Sequence, residues 1–358
     1  MAEPQRLQYV DHFRGLLIVH MALDHASAIM NKQRWGDELA AHNPGMPGSL
    51  AQFIARFTGV AVAPGFAFMA GFMIALTTLR REGRGQTKRE VTRQLITRGI
   101  VLIVADATVG GIFRAAQGFY SFMVLSSIGA SIIIIALIRD LPRVVLTAIA
   151  LAIVVLHPLL DVSGLPVPLR AVIYEPIREG YFRSLYPIIP WVGVVLLGFV
   201  LGADAAVRER PRKLWLGLAG LSFALFFGVR VSGGFGNAYP HEGLGTLGFW
   251  IFAKYPPDLA WITWSFWQIF LVLAVLHWVS ERGPAPVLKP FALFGRVPFF
   301  FYLTHFYLLG IMTMATGGKR GLKEAVLLWV VGVALMFPIC RWYDRKKRER
   351  PNWVTRYV

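Results

Sequence analysis

The segment QYVDHFRGLLIVHMALDHASAIM sets Asp11, Arg14, His20, Asp24 and His25 among residues that otherwise read as one apolar helix. Ionisable side chains at bilayer depth cost free energy and usually face a bundle interior or a wet cavity, so function is sought there first. On a helix Asp11, Arg14 and His25 share a face, with about 16 Å of rise from Arg14 to His25. His20 and Asp24 form a second pair one turn apart. Asp24 lies about 100° round the helix from His25, so the spacing leaves open which histidine it serves. A neutral imidazole held by a carboxylate can take a proton from a hydroxyl or amine as that group attacks a carbonyl. Asp24 and His25 therefore form a candidate acyl-transfer dyad. The plainer reading is a buried hydrogen bond pinning two helices, and an aspartate with two histidines in one apolar segment is hard to explain by packing alone.

Further candidates stand later in the chain. Lys254 and Tyr255, ahead of Pro256 and Pro257, set a cation and a phenol at the expected outer mouth of a helix, as an acceptor lining or as an interfacial anchor. Arg296 and His305 share another apolar run, with Arg296 at the end expected to be cytoplasmic and His305 in the outer half. Arg296 is a candidate to share an anionic donor with Arg14, and His305 to support the site or to pair helices. Asp106 reads as a structural counter-charge for a buried cation. The chain contains no His-Glu-x-x-His, Gly-x-Ser-x-Gly, P-loop or dinucleotide fingerprint, and the glycines between Ser232 and Pro257 follow no strand. Hydrolase, ATPase and dehydrogenase chemistries lack support, and no metal is implied.

The elements that must position these residues are membrane helices. The 358 residues are 56% hydrophobic, and the mean hydropathy is +0.54. A formal net charge of +17 argues for nucleic acid only if it clusters on one face, whereas here Lys and Arg fall in short segments between apolar runs. Nucleic acid is therefore not an expected partner. Windows of about 20 apolar residues centre near Leu23, Phe68, Leu102, Ile133, Ala150, Val194, Leu221, Phe270, Tyr302 and Val330. The expected fold class is thus an all-α polytopic membrane protein, a bundle of about ten transmembrane helices forming a single domain over 1–358. Arg80 to Arg98, Arg208 to Lys213, Arg282 with Lys289, and the short basic C-terminal tail Arg345 to Arg350 all fall on one side of that alternation. The positive-inside rule makes that side, and both termini, cytoplasmic, in a multi-pass protein of the inner (plasma) membrane. Asn31 to Leu50, Asp161 to Arg183 and Ser232 to Pro257 are then the outer segments. The first apolar run, with its ionisable residues, reads as a retained helix rather than a signal peptide. The single cysteine, Cys340, allows no intrachain disulfide.

The stretch RLQYVDHFRGLLIVHMALDH, Arg6 to His25, resembles the opening of the bacterial family related to the catalytic domain of heparan-alpha-glucosaminide N-acetyltransferase. APGFAFMAG at 63–71, YPIIPWVGVVLLGFVLG at 186–202, KYPPDLAW at 254–261 and FGRVPFFFYLTHFYLL at 294–309 resemble its later motifs in order. The spacing of Arg14 and His25 is also similar to the first-helix pair of the wider membrane acyltransferase superfamily. The resemblance implies an acyltransferase with His25 as general base or transient acyl carrier, and acetyl-CoA or another acyl-CoA as donor substrate rather than a bound cofactor. It places Arg14 where the donor's phosphates lie, a role that suits the bidentate fork of a guanidinium. The chain departs from the family at Thr58 to Val62, where relatives carry a histidine, and at Asp258, where they commonly carry serine; both positions bear on acceptor choice. The acceptor itself is unidentified, an amino sugar or envelope glycan by analogy. The alternative is a transporter or sensor that binds a glycan or lipid without covalent chemistry. Homodimer formation through Gly217, Ala219 and Gly220 stays open.

Overall fold

The computed structural model describes residues 7–36, 43–116, 118–241, 243–283, 285–350 and 352. Arg6, where the resemblance begins, residues 37–42 of the first outer segment, Glu242 of the third, and Pro351 with 353–358 of the tail lie outside the described residues. The chain is mostly helical, and each of the ten expected window centres falls inside a helix. Five runs are long and apolar enough to cross a bilayer: Leu50–Gly83, Pro211–Ser232, Leu259–Glu281, Pro298–Ala315 and Leu322–Glu349. Three further apolar helices, over 124–138, 143–159 and 188–202, are shorter. Gln8–Met30 and Lys88–Ala107 have the length, but their charged residues keep them out of the five. Several helices turn bare apolar side chains outward, for instance Leu216, Leu221 and Leu225 on one and Leu327, Val330 and Leu335 on another. A surface of that kind is stable against lipid and costly against water. The chain is a membrane protein.

The residues gather into two compact units. The first holds 63–267 and packs its helices through glycine. A Cβ on Gly71 would overlap the carbonyl of Val195, and one on Gly198 the carbonyl of Phe68. The Val62–Gly83 and Ile188–Gly202 helices therefore cross backbone to backbone, the small-residue packing that apolar surroundings favour. Gly99 and Gly129 do the same reciprocally for Lys88–Ala107 and Val124–Ile138, each Cβ position falling 2.5–2.6 Å from the other's carbonyl oxygen. The Lys88 helix starts at a Thr87-x-x-Glu90 capping box. Buried Asp106 takes the counter-charge role expected of it: Arg114 binds its carboxylate at 3.2 Å, and the same group accepts from the N–H of Met123 and of Ser126, capping the next helix. One departure from an all-α fold is a short parallel pair, Tyr120–Phe122 with Phe182–Ser184, in which two interhelical segments satisfy each other's backbone groups.

The second unit holds 6–36, 44–62 and 268–358. Its first helix, Gln8–Met30, is crossed by the short Lys289–Arg296 helix at two glycines. A Cβ on Gly15 would overlap the Phe291 carbonyl, and one on Gly295 the Asp11 carbonyl. Further out, Ala26 and Met30 pack with Leu309, Ala325 and Leu328 of the last two helices. Trp329 donates its indole N–H to the Val19 carbonyl at 2.8 Å, and the N–H of Arg320 donates to Met30 at 2.6 Å. The helix with most of the candidate chemistry is thus held at its start, middle and end.

Gly295→Ala is expected to lower stability by about 2–3 kcal/mol through overpacking, read as a drop in the detergent-solubilised unfolding midpoint. Gly217→Ala, at a position whose Cβ would meet nothing within 4 Å, should leave the midpoint unchanged or raise it slightly. Equal midpoints for the two variants would remove the crossing as a constraint.

Candidate active site

The first helix delivers His20, Asp24 and His25 to separate sets of partners. Asp24 Oδ1 accepts from Arg56 Nη1 at 2.8 Å and from Arg34 Nη2 at 3.1 Å, and Arg34 Nη1 also donates to the Asp24 carbonyl at 2.6 Å. His20 Nε2 lies 3.1 Å from the Thr58 hydroxyl. His25 Nδ1 lies 2.7 Å from His305 Nε2, the two rings stacked with centroids 5.0 Å apart. Phe306 covers His25 at 4.2 Å, and Tyr302 stands edge-on at 6.5 Å. His305, only 1% exposed, has its Nδ1 2.9 Å from the Phe301 carbonyl, one helical turn back.

The tautomers follow from donors and acceptors. A carbonyl only accepts, so His305 Nδ1 carries the proton and donates to Phe301. Its Nε2, in the neutral ring, then offers a lone pair, and His25 Nδ1 must be the donor across the 2.7 Å contact. That leaves Nε2 of His25 as the ring's basic nitrogen. The expected dyad thus reads differently in space: the described hydrogen-bond partner of His25 is a second imidazole, while Asp24 is gripped by two guanidinium groups.

At the other end of the same helix Arg14 lies 3.5 Å from Asp11. Asp11 is the residue whose carbonyl abuts Gly295, so the crossing sets Arg296 at the level of the turn that ends in Arg14. Arg296 gives its fork to Asp344 at 2.8–3.3 Å, and Arg348 donates to the same carboxylate at 2.6 Å. Two guanidinium groups on one carboxylate leave a net positive charge at this end.

Lys254 and Tyr255 belong to the other unit. Both are buried, at 7% and 6% exposure. The Tyr255 hydroxyl is 3.2 Å from that of Tyr186, and the Lys254 ammonium stands 5.1 Å from the Tyr255 ring centroid. Sequence reasoning did not find Arg34, Arg56, Thr58, Tyr186 or Asp344 as partners. Arg34 and Arg56 carried a signal, since an aspartate inside an apolar helix demands cations; the other three did not stand out from ordinary loop, motif and tail residues.

A family model described as "Heparan-alpha-glucosaminide N-acetyltransferase, catalytic" matches residues 6–227. The chain belongs to that family. No match to a curated protein is found. Membership gives the chain the family's general chemistry, that of a membrane acetyltransferase-like protein. The matched span includes Arg14, His20, Asp24 and His25, whereas Lys254, Tyr255, Arg296 and His305 lie beyond it.

Asp24→Asn should be a stability variant before it is an activity variant, because it leaves Arg56, whose side chain is 6% exposed, without its carboxylate. A loss of about 3 kcal/mol is expected. Chemical unfolding of the purified variant measures it, and partial recovery in Asp24→Asn with Arg56→Met would assign the loss to the stranded charge. An unshifted midpoint would reject the ion-pair anchor.

Proposed function

We propose that the protein is a membrane acyltransferase that moves an acetyl or short acyl group from acyl-CoA, supplied on the cytoplasmic side, to an extracytoplasmic acceptor, an amino sugar or envelope glycan. The observation that carries this reading is the hydrogen-bonded row from the Phe301 carbonyl through His305 to His25 Nδ1, which orients His25 Nε2 as a base. In the reaction the acceptor's nitrogen or oxygen attacks the thioester carbonyl, Nε2 takes the proton released, and the C–S bond breaks as the thiolate of coenzyme A leaves. The same proton returns to the thiolate. If the acyl group instead rests on the protein, the Nε2 lone pair attacks the thioester and the C–S bond breaks as the thiolate leaves; the acceptor then attacks the acyl carbon, the C–N bond to the ring breaks, and the acceptor's proton passes to the freed Nε2.

His25 is the catalytic residue in this proposal, and His305 positions it, much as a carboxylate positions the histidine of a hydrolytic triad. Asp24 serves through Arg34 and Arg56, fixing the turn from which His25 projects. Arg14 and the Arg296–Asp344–Arg348 cluster supply positive charge for the donor's phosphates. The proposed topology is ten crossings with both termini cytoplasmic, in the plasma membrane. It rests on the basic residues between 80 and 98, between 208 and 213 and at the tail. That orientation puts Arg14 near the cytoplasmic face and His25 towards the outer one.

Thiol release from acetyl-CoA, followed with a mixed pool of amino sugars and envelope glycans, tests the reading. The wild type should release thiol in an acceptor-dependent way, and His25→Ala should lose at least about 10³-fold of the rate while keeping its unfolding midpoint. His305→Ala should lower kcat by about 10–10²-fold with KM little changed. Undiminished turnover by His25→Ala would end the assignment. Acceptor binding by the wild type without any consumption of acyl-CoA would favour a transporter or sensor.

A further inference from the structure

In the Lys254-Tyr255-Pro256-Pro257-Asp258 turn, Lys254 forms no ion pair among the described residues. Lys254 is 7% exposed, and among the described residues its ammonium has one contact, the face of the Tyr255 ring at 5.1 Å. The acid of the same motif is committed elsewhere. Asp258 Oδ1 accepts from the Trp261 N–H at 2.7 Å, and Oδ2 accepts from the N–H of Ala238 and of Ala253, each at 3.1 Å. Those three bonds explain why the residue is an acid: it ties the 236–238 segment to the start of the Leu259–Glu281 helix and leaves the neighbouring lysine to itself. Arg230, another buried cation of this unit, is equally committed, donating to the carbonyls of Gly248, Phe249 and Ile251 and to Asn237.

A lysine side chain this enclosed, at 7% exposure for the whole residue, usually has a charged or polar partner, because removing its charge from water is expensive. Around Lys254 the ring face of Tyr255, the Tyr186–Tyr255 hydroxyl pair at 3.2 Å and the Arg178 guanidinium, 5.8 Å from the same ring, make a cationic and aromatic lining. The hydrogen-bonded phenol pair supplies polar hydroxyl groups, and the ammonium supplies the charge. We infer that Lys254, Tyr255 and Tyr186 form an anion-binding site that takes a carboxylate or phosphate group of a ligand. The inference rests on the acyltransferase reading only for the choice of probes: an acidic or phosphorylated saccharide on the acceptor side, or the phosphates of acyl-CoA on the donor side.

The test is equilibrium binding of glucosamine 6-phosphate, acetyl-CoA and uncharged N-acetylglucosamine to the purified full chain. It compares the wild type with Lys254→Met, which keeps the stem, and Lys254→Arg, which keeps the charge. For at least one anion, Lys254→Met should weaken binding by about tenfold or more, with Lys254→Arg close to wild type and the neutral sugar unaffected. An effect confined to glucosamine 6-phosphate assigns the site to the acceptor, and one confined to acetyl-CoA assigns it to the donor. Equal affinities in wild type and Lys254→Met, or no binding of either anion to the wild type, would overturn the inference. Should Lys254→Met not fold, the wild type is heated with and without inorganic phosphate at constant ionic strength: a raised midpoint supports the site, and an unchanged one overturns it. Loss of thiol release in the wild type would count against the acyltransferase reading and leave these binding results standing.

Discussion

Ionisable groups carried on an apolar helix dictate most of what surrounds that helix in its unit. Placing Asp11, Arg14, His20, Asp24 and His25 on Gln8–Met30 creates five groups whose desolvation must be offset. The neighbouring segments are built to do so: Arg34 and Arg56 converge on Asp24, Thr58 meets His20, and His305 meets His25. The partners come from three stretches of chain, at 34, at 56–58 and at 305, so the ion pairs and hydrogen bonds that lower this cost also fasten the segments together. Glycine completes the arrangement where side chains would hold backbones apart, at Gly15 and Gly295.

Much of this was legible in the sequence because the relevant signals are local. Hydropathy over about 20 residues marks a helix whatever its neighbours do, and all ten marked centres lie in helices. Five runs also meet the demands of a crossing by length and composition. The others fall short for reasons visible in their residues: Ile188–Gly202 is cut to 15 residues by its prolines, and Gln8–Met30 carries the very charges that make it interesting. The family was legible for the same reason, since RLQYVDHFRGLLIVHMALDH is a contiguous string, and the family's span runs from residue 6 to 227.

Partnerships were not legible, because they join residues far apart in the chain. Helical spacing puts Asp24 one residue from His25 and four from His20, and it made the aspartate look like a histidine's partner. In space the carboxylate goes to the strongest available donors, two guanidinium groups from 34 and 56. His25 then meets an imidazole from 280 residues away. Likewise Arg296 was read as unclaimed, while Asp344, in a tail noticed only for its positive charge, takes its fork. Gly217 and Gly220 illustrate the converse: small residues suggest close packing, yet a Cβ added at either would meet nothing within 4 Å among the described residues.

The row of imidazoles ends on the Phe301 carbonyl, and a backbone carbonyl cannot keep a proton. A proton gained at Nε2 can shift as far as His305 and no further along that line, so the row is a cul-de-sac rather than a wire. In the proposed reaction the proton taken from the acceptor is therefore returned to the departing sulfur. Such a step needs no proton delivered along this row from either side of the membrane.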